Sequence, residues 1–111
     1  MDWYVIEYLY PESFKKFIDT MFPNVGLVSI KLLQHFEIKN LYYFFEKQGV
    51  YLTIEKCTPY FWIYNISTEN GLAFGNTFSC NFTRDNIEIE AFTDCFRFLD
   101  NKLRNKNEKK V

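Results

Sequence analysis

Apolar side chains in this chain recur either every three to four residues or every second residue, and the switches between the two spacings mark out its elements. Phe14, Phe17, Ile18 and Met21 form one helical stripe, with Lys15, Lys16 and Asp19 on the wet side. Pro11 suits the first position of that helix, Glu12 favours its positive end, and Pro23 stops it. Ile38, Leu41, Tyr42 and Phe45 predict a second helix from about Glu37, closed at Gly49 by a left-handed cap. Ala91, Phe92, Cys95, Phe96, Leu99 and Leu103 predict a last helix, which should start near Asp85, where Asp85 and Glu88 are spaced as a capping box.

The period-two segments read as strands. Val50, Leu52 and Ile54 alternate with Tyr51, Thr53 and Glu55, and strands over Tyr60–Ser67 and Leu72–Phe78 follow. Trp3–Leu9, rich in aromatic and β-branched residues, reads as a further strand at the start of the chain. Leu27–Leu33 reads as another, because Val28, Ile30 and Leu32 alternate with Ser29 and Lys31. The expected fold class is α+β, in the order β-α-β-α-β-β-β-α, with a mostly antiparallel sheet packed by about three helices. Residues 1–104 form one domain in this reading, and 105–111 a basic, disordered tail.

Hydrophobic matching sets the expected hairpin registers, because a slip of one residue turns every side chain to the other face. A three-residue loop at Glu69-Asn70-Gly71 pairs Ile66 with Phe74 and Trp62 with Phe78. A three-residue loop at Cys57-Thr58-Pro59 pairs Ile54 with Trp62 and Leu52 with Tyr64. The three strands then form a meander with Val50, Leu52, Ile54, Trp62, Tyr64, Ile66, Phe74 and Phe78 on the inner face, under the helices.

Composition adds one feature. Of the 111 residues, 21% are aromatic, including 13 Phe and 8 Tyr, so a small core can still bury much area, since each ring covers about 150–250 Å². A net charge of −1 argues against a general electrostatic grip on nucleic acid or anionic lipid. Basic residues do gather near the C-terminus, as Lys102, Arg104, Lys106, Lys109 and Lys110.

Candidate chemistry is sparse. His35 is the only histidine and has no nucleophile or metal partner that spacing can indicate. Glu88 and Glu90, two apart on a helix, diverge, and the separation of Glu7 and Glu55 cannot be read from sequence. Cys57, Cys80 and Cys95 form no C-x-x-C pair, so no zinc or redox motif is expected; Cys95 reads as core, and Cys57 has only Lys56 beside it. The four glycines are isolated and form no phosphate loop. No cofactor, metal or enzymatic activity is expected. With no basic start, no cleavage signal and no membrane-length apolar run, the expected location is the cytoplasm, of a host cell if the protein is phage-encoded. The sequons at Asn65 and Asn81 are then coincidental.

The far side of the meander should carry Tyr51, Thr53, Phe61, Ile63, Asn65, Ala73, Gly75 and Thr77. Tyr51, Phe61 and Ile63 are too apolar for a plain solvated face. Either another element of the chain or a dimer mate covers them, or they form a partner-binding patch. A nucleic-acid variant would stack bases on these aromatics and use the basic tail, although Lys31, Lys47 and Lys56 are scattered and no RNP pattern is present.

The stretch Leu41-Tyr42-Tyr43-Phe44-Phe45-Glu46-Lys47-Gln48-Gly49-Val50-Tyr51-Leu52 resembles a helix-then-strand pattern of small uncharacterised proteins from phages and mobile elements of gut Bacteroidetes. Glu88-Ile89-Glu90-Ala91-Phe92-Thr93-Asp94-Cys95-Phe96-Arg97-Phe98-Leu99 is similar to their closing helix. The resemblance implies an accessory protein and brings no functional residues with it. The expected function is a non-enzymatic interaction module, acting on a protein partner or on itself through Tyr51, Phe61 and Ile63. Nucleic-acid binding is the alternative.

Overall fold

The computed structural model describes residues 1–79 and 83–108, with the side chains of 73–76, 107 and 108 outside that description. Four helices come first: α1 (Trp3–Leu9), α2 (Pro11–Met21), α3 (Ile30–Leu33) and α4 (Asn40–Lys47). Three strands follow, β1 (Val50–Thr58), β2 (Phe61–Thr68) and β3 (Gly71–Ser79), and then the long α5 (Arg84–Glu108). The strands form one antiparallel meander in the order β1-β2-β3. The α+β class holds, but the two strands expected before the meander are helices.

Local capping explains both corrections. The Asp2 side chain accepts the Val5 N–H at 3.2 Å and starts α1, which buries Trp3 and Ile6 at a spacing of three. Ser29 accepts the Leu32 N–H at 3.3 Å and starts α3, where Leu33 is buried while Ile30 and Phe36 are half-buried, again three apart. The alternation of Val28, Ile30 and Leu32 therefore counts for less than the three-residue spacing, and Leu32 points outward.

The expected helices α2, α4 and α5 are present. Gly49 caps α4 at φ +74°, in the left-handed region where a side chain would be strained. The start of α5 differs from expectation: Thr83, not Asp85, accepts the Asn86 N–H, at 3.2 Å. Helix α5 continues to Glu108, past the expected end of the domain at Arg104, and Lys109–Val111 lie outside the described residues.

The core is a stack of rings. Trp3 lies flat on Phe17 at 5.0 Å, Phe17 meets Phe44 edge-on at 5.3 Å, and Phe45 stacks on Phe92 at 5.8 Å. Phe96 touches four of these rings, from α1, α2 and α4, so α5 is the spine on which the other helices assemble. Edge-on and offset contacts of this kind add about 0.5–1.5 kcal/mol per pair beyond burial. Helix α5 and α4 also pack on the sheet, which sends Val50, Tyr64 and Ile66 into the core and half-buries Leu52, Ile54 and Trp62. Among the described residues, no helix is long and apolar enough to cross a membrane.

Both registers differ from expectation, with unequal consequences. In the first hairpin Ile54 pairs with Tyr64 and Leu52 with Ile66, a two-residue slip from the expected partners. An even slip leaves every side chain on its expected face. The turn is Pro59-Tyr60, with the Thr58 hydroxyl accepting the N–H groups of Tyr60 and Phe61. The second hairpin repeats that device: Thr68 accepts the Asn70 N–H at 3.2 Å across a Glu69-Asn70 turn. Ile66 does pair with Phe74, but irregularities on either side of Ile66 insert residues into β3. Trp62 consequently faces Ser79, and Phe78 faces Ile63.

Candidate interaction surface

The bulged register decides what the free side of the sheet presents. Phe78, expected in the core, is 66% exposed opposite Ile63, whereas Thr77, expected outside, pairs with the buried Tyr64. Strand β3 thus turns its terminal aromatic outward, and the small Ser79 takes the inner position and donates to Glu90 of α5. Gly75 was the available signal, since a glycine inside a strand often marks a bulge.

Tyr51, Phe61 and Ile63 all lie on this outer face, as expected. Tyr51 is 39% and Phe61 43% exposed, and Ile63 is half-buried. They do not form one cluster. Phe61 and Ile63 are neighbours on one side of β2, and Phe78 completes a group with Ile63 across the strand pair. Tyr51 lies opposite Ser67, six residues along β2 from Phe61, about 20 Å away at the usual strand rise. Its own apolar companion is Leu72, which pairs with Ser67 and is 65% exposed. Thr53 and Asn65 form a polar row between the two apolar ends. The side chains of Ala73 and Gly75, expected here, and of Phe74, expected on the inner face, lie outside the described residues.

Charge is nearly absent from this face. Glu55, paired with Ile63, is its one ionic side chain among the described residues. Lys56 projects to the other side and sits 5.6 Å from the Trp62 ring, within the reach of about 6 Å for a cation–π contact.

Most polar groups behind the sheet serve packing. Asp94 accepts the Tyr64 hydroxyl and pairs with Arg97 at 3.2 Å. Burial, then that carboxylate, holds the Tyr64 phenol well above its ordinary range. Burial and the neighbouring Glu88 push Tyr42 up to about 12. Glu88 itself lies 3.7 Å from Arg84, one helical turn away.

The sequence candidates for chemistry are dispersed. His35 is exposed between α3 and α4, and Glu7 and Glu55 are exposed on α1 and β1. Cys95 is buried among the core rings, and burial pushes its thiol far up. Cys57 is exposed at the end of β1, while Cys80 and Asn81 lie outside the described residues. Among the described residues no three His, Cys, Asp or Glu side chains gather as metal ligands would. Comparison with known proteins finds no matching family model, no matching curated protein and no matching solved structure.

Proposed function

We propose that this chain is a non-enzymatic protein-interaction module that binds through the outer face of its meander. The observation that carries this reading is the outward placement of Phe61 and Phe78, both exposed, around the half-buried Ile63. Large rings held on a rigid sheet lose little freedom on binding, which is why aromatic side chains dominate the centres of protein interfaces. The dispersal of His35, Glu7, Glu55 and Cys57 also supports a binding role over catalysis. The accessory role in a phage or mobile element, which the resemblance implies, belongs to the same reading.

A nucleic-acid partner is less well supported. Stacking platforms for single strands are framed by Lys and Arg that hold the phosphates, and Glu55 is the charge found on this face.

The test is quantitative affinity capture from a gut Bacteroidetes lysate, using the wild-type chain and the Phe61→Glu and Phe78→Glu variants, followed by titration of the purified partner. Both positions are exposed, so the variants should fold, which circular dichroism checks. A partner whose affinity falls about tenfold or more in both variants supports the proposal. Undiminished binding in both removes it. Binding to a single-stranded oligonucleotide that weakens steeply with salt and is lost in Phe61→Glu would assign the face to nucleic acid instead.

A further inference from the structure

The apolar group on the outer face of the sheet has an acid built into it. Strand register sets Glu55, Ile63 and Phe78 side by side in one row across β1, β2 and β3. Pairing is regular on both sides of Ile63, from Ile54 to Lys56 on β1 and from Thr77 to Ser79 on β3, so the order and spacing of the row are fixed. Neighbouring strands lie about 4.8 Å apart, which places Glu55 and Phe78 about 10 Å from each other with Ile63 between them. Phe61, two residues along β2 on the same side, stands about 7 Å from Ile63.

Glu55 is exposed, and among the described residues its carboxylate has no ion-pair or hydrogen-bond partner. The base next to it in sequence, Lys56, is turned to the opposite side by strand parity and is engaged over the Trp62 ring. The negative charge is therefore left beside the rings with nothing on this face to neutralise it.

A partner side chain seated on this row has to suit an aliphatic floor, two rings and one carboxylate. Arginine meets all three demands. Its guanidinium is planar and weakly hydrated, so its face lies on apolar and aromatic surface while its edge donates two parallel hydrogen bonds to a carboxylate. The exposed rings of Phe61 and Phe78 attract the same cation through their faces. Lysine fits less well, because its compact ammonium is strongly hydrated and cannot make the forked contact. Acidic segments and phosphates are repelled by Glu55. Arginine is also the charged residue enriched at the centres of protein interfaces.

We infer that the outer face recognises a protein segment that sets an arginine, flanked by apolar side chains, over Ile63 between Glu55 and Phe78. This inference rests on the proposed function and gives the chemistry of the partner. Phe61 and Phe78 supply the apolar anchor, and Glu55 selects which segments can use it.

Selection from a random-peptide display library against the full wild-type chain, with Phe78→Glu as the counter-selecting variant, tests the inference. Peptides that bind the wild type and not Phe78→Glu should carry an arginine among apolar residues. Synthetic copies are then titrated against Glu55→Gln and Glu55→Arg, whose far-ultraviolet spectra should match the wild type because residue 55 is exposed. Affinity should fall in Glu55→Gln and fall about tenfold or more in Glu55→Arg. Exchanging the peptide's arginine for glutamate should restore part of the binding to Glu55→Arg, a rescue that only direct contact explains. Exchanging it for lysine should weaken binding to the wild type. Face-specific peptides without a basic residue, or affinity unchanged in Glu55→Arg, would overturn the inference and leave the proposed function standing. A library that yields no peptide dependent on Phe78 would remove both.

Discussion

Asp100 and Ser13, 87 positions apart, are joined at the start of α2: the Asp100 carboxylate accepts the Ser13 N–H at 3.0 Å and the Glu12 N–H at 2.8 Å. Helix α2 follows Tyr10, which offers no capping side chain, so its first amides would otherwise be left without partners. Asp100 is thus a cap supplied from another helix. Its other oxygen holds Arg104 at 2.8 Å, so the buried charge is both paired and hydrogen-bonded.

Replacing Asp100 by Ala should therefore cost about 2–3 kcal/mol, since it strips a cap and leaves buried amides unsatisfied. Arg104→Ala should cost under about 1 kcal/mol, because that guanidinium is half in water. Urea denaturation of the two variants measures the difference. Equal losses would mean that Asp100 stabilises the fold through its pair with Arg104 inside α5, and not as the cap of α2.

The two hindered phenols make an alkaline prediction. Tyr42 ionises near 12 when folded against an ordinary 10.0, and Tyr64 also lies above that value. A group raised on folding contributes stability that is fully present below its unfolded value and is lost as pH climbs towards its folded one. Stability should hold up to about pH 10 and fall between 10 and 12, as the unfolded phenols release protons that the folded ones retain. Following tyrosinate absorbance with pH in wild type, Tyr42→Phe and Tyr64→Phe checks this. A high-pH component that persists when Tyr42→Phe and Tyr64→Phe are combined in one chain would contradict the assignment.

Two phenylalanines on neighbouring layers should behave oppositely. Phe96 is fully buried among rings from three helices, and Phe96→Ala should cost about 3–5 kcal/mol through the cavity it opens. Phe78 is two-thirds exposed, and Phe78→Ala should stay within about 0.5 kcal/mol of wild type. Thermal unfolding of both compares them directly. A large loss at Phe78 would place it in the core and end its candidacy as a contact residue.

Legibility of the elements follows how much polarity each segment contains. In α2, α4 and α5 the polar residues leave one clear apolar stripe, so period and element agree. In Trp3–Leu9 only Glu7 is charged, so both periods fit, and aromatic and β-branched content tips the reading towards a strand. The Asp2 and Ser29 caps were the available counter-signals. Phe61 and Ile63 were legible as surface residues, because the parity of β2 survives a two-residue slip. Phe78 and Leu72 were not, since bulges in β3 carry no strict sequence mark.

The chain read alone determines the α+β class, three of the five helices, the aromatic core and the two faces of β1 and β2. All of these depend on contrasts between residues a few positions apart, which local geometry converts directly into direction. Tertiary structure decides that Phe78 faces outward and that Asp100 caps a helix 87 residues away. Each of these turns on packing between segments distant in sequence, where the local pattern permits more than one outcome and the burial of the whole chain selects among them.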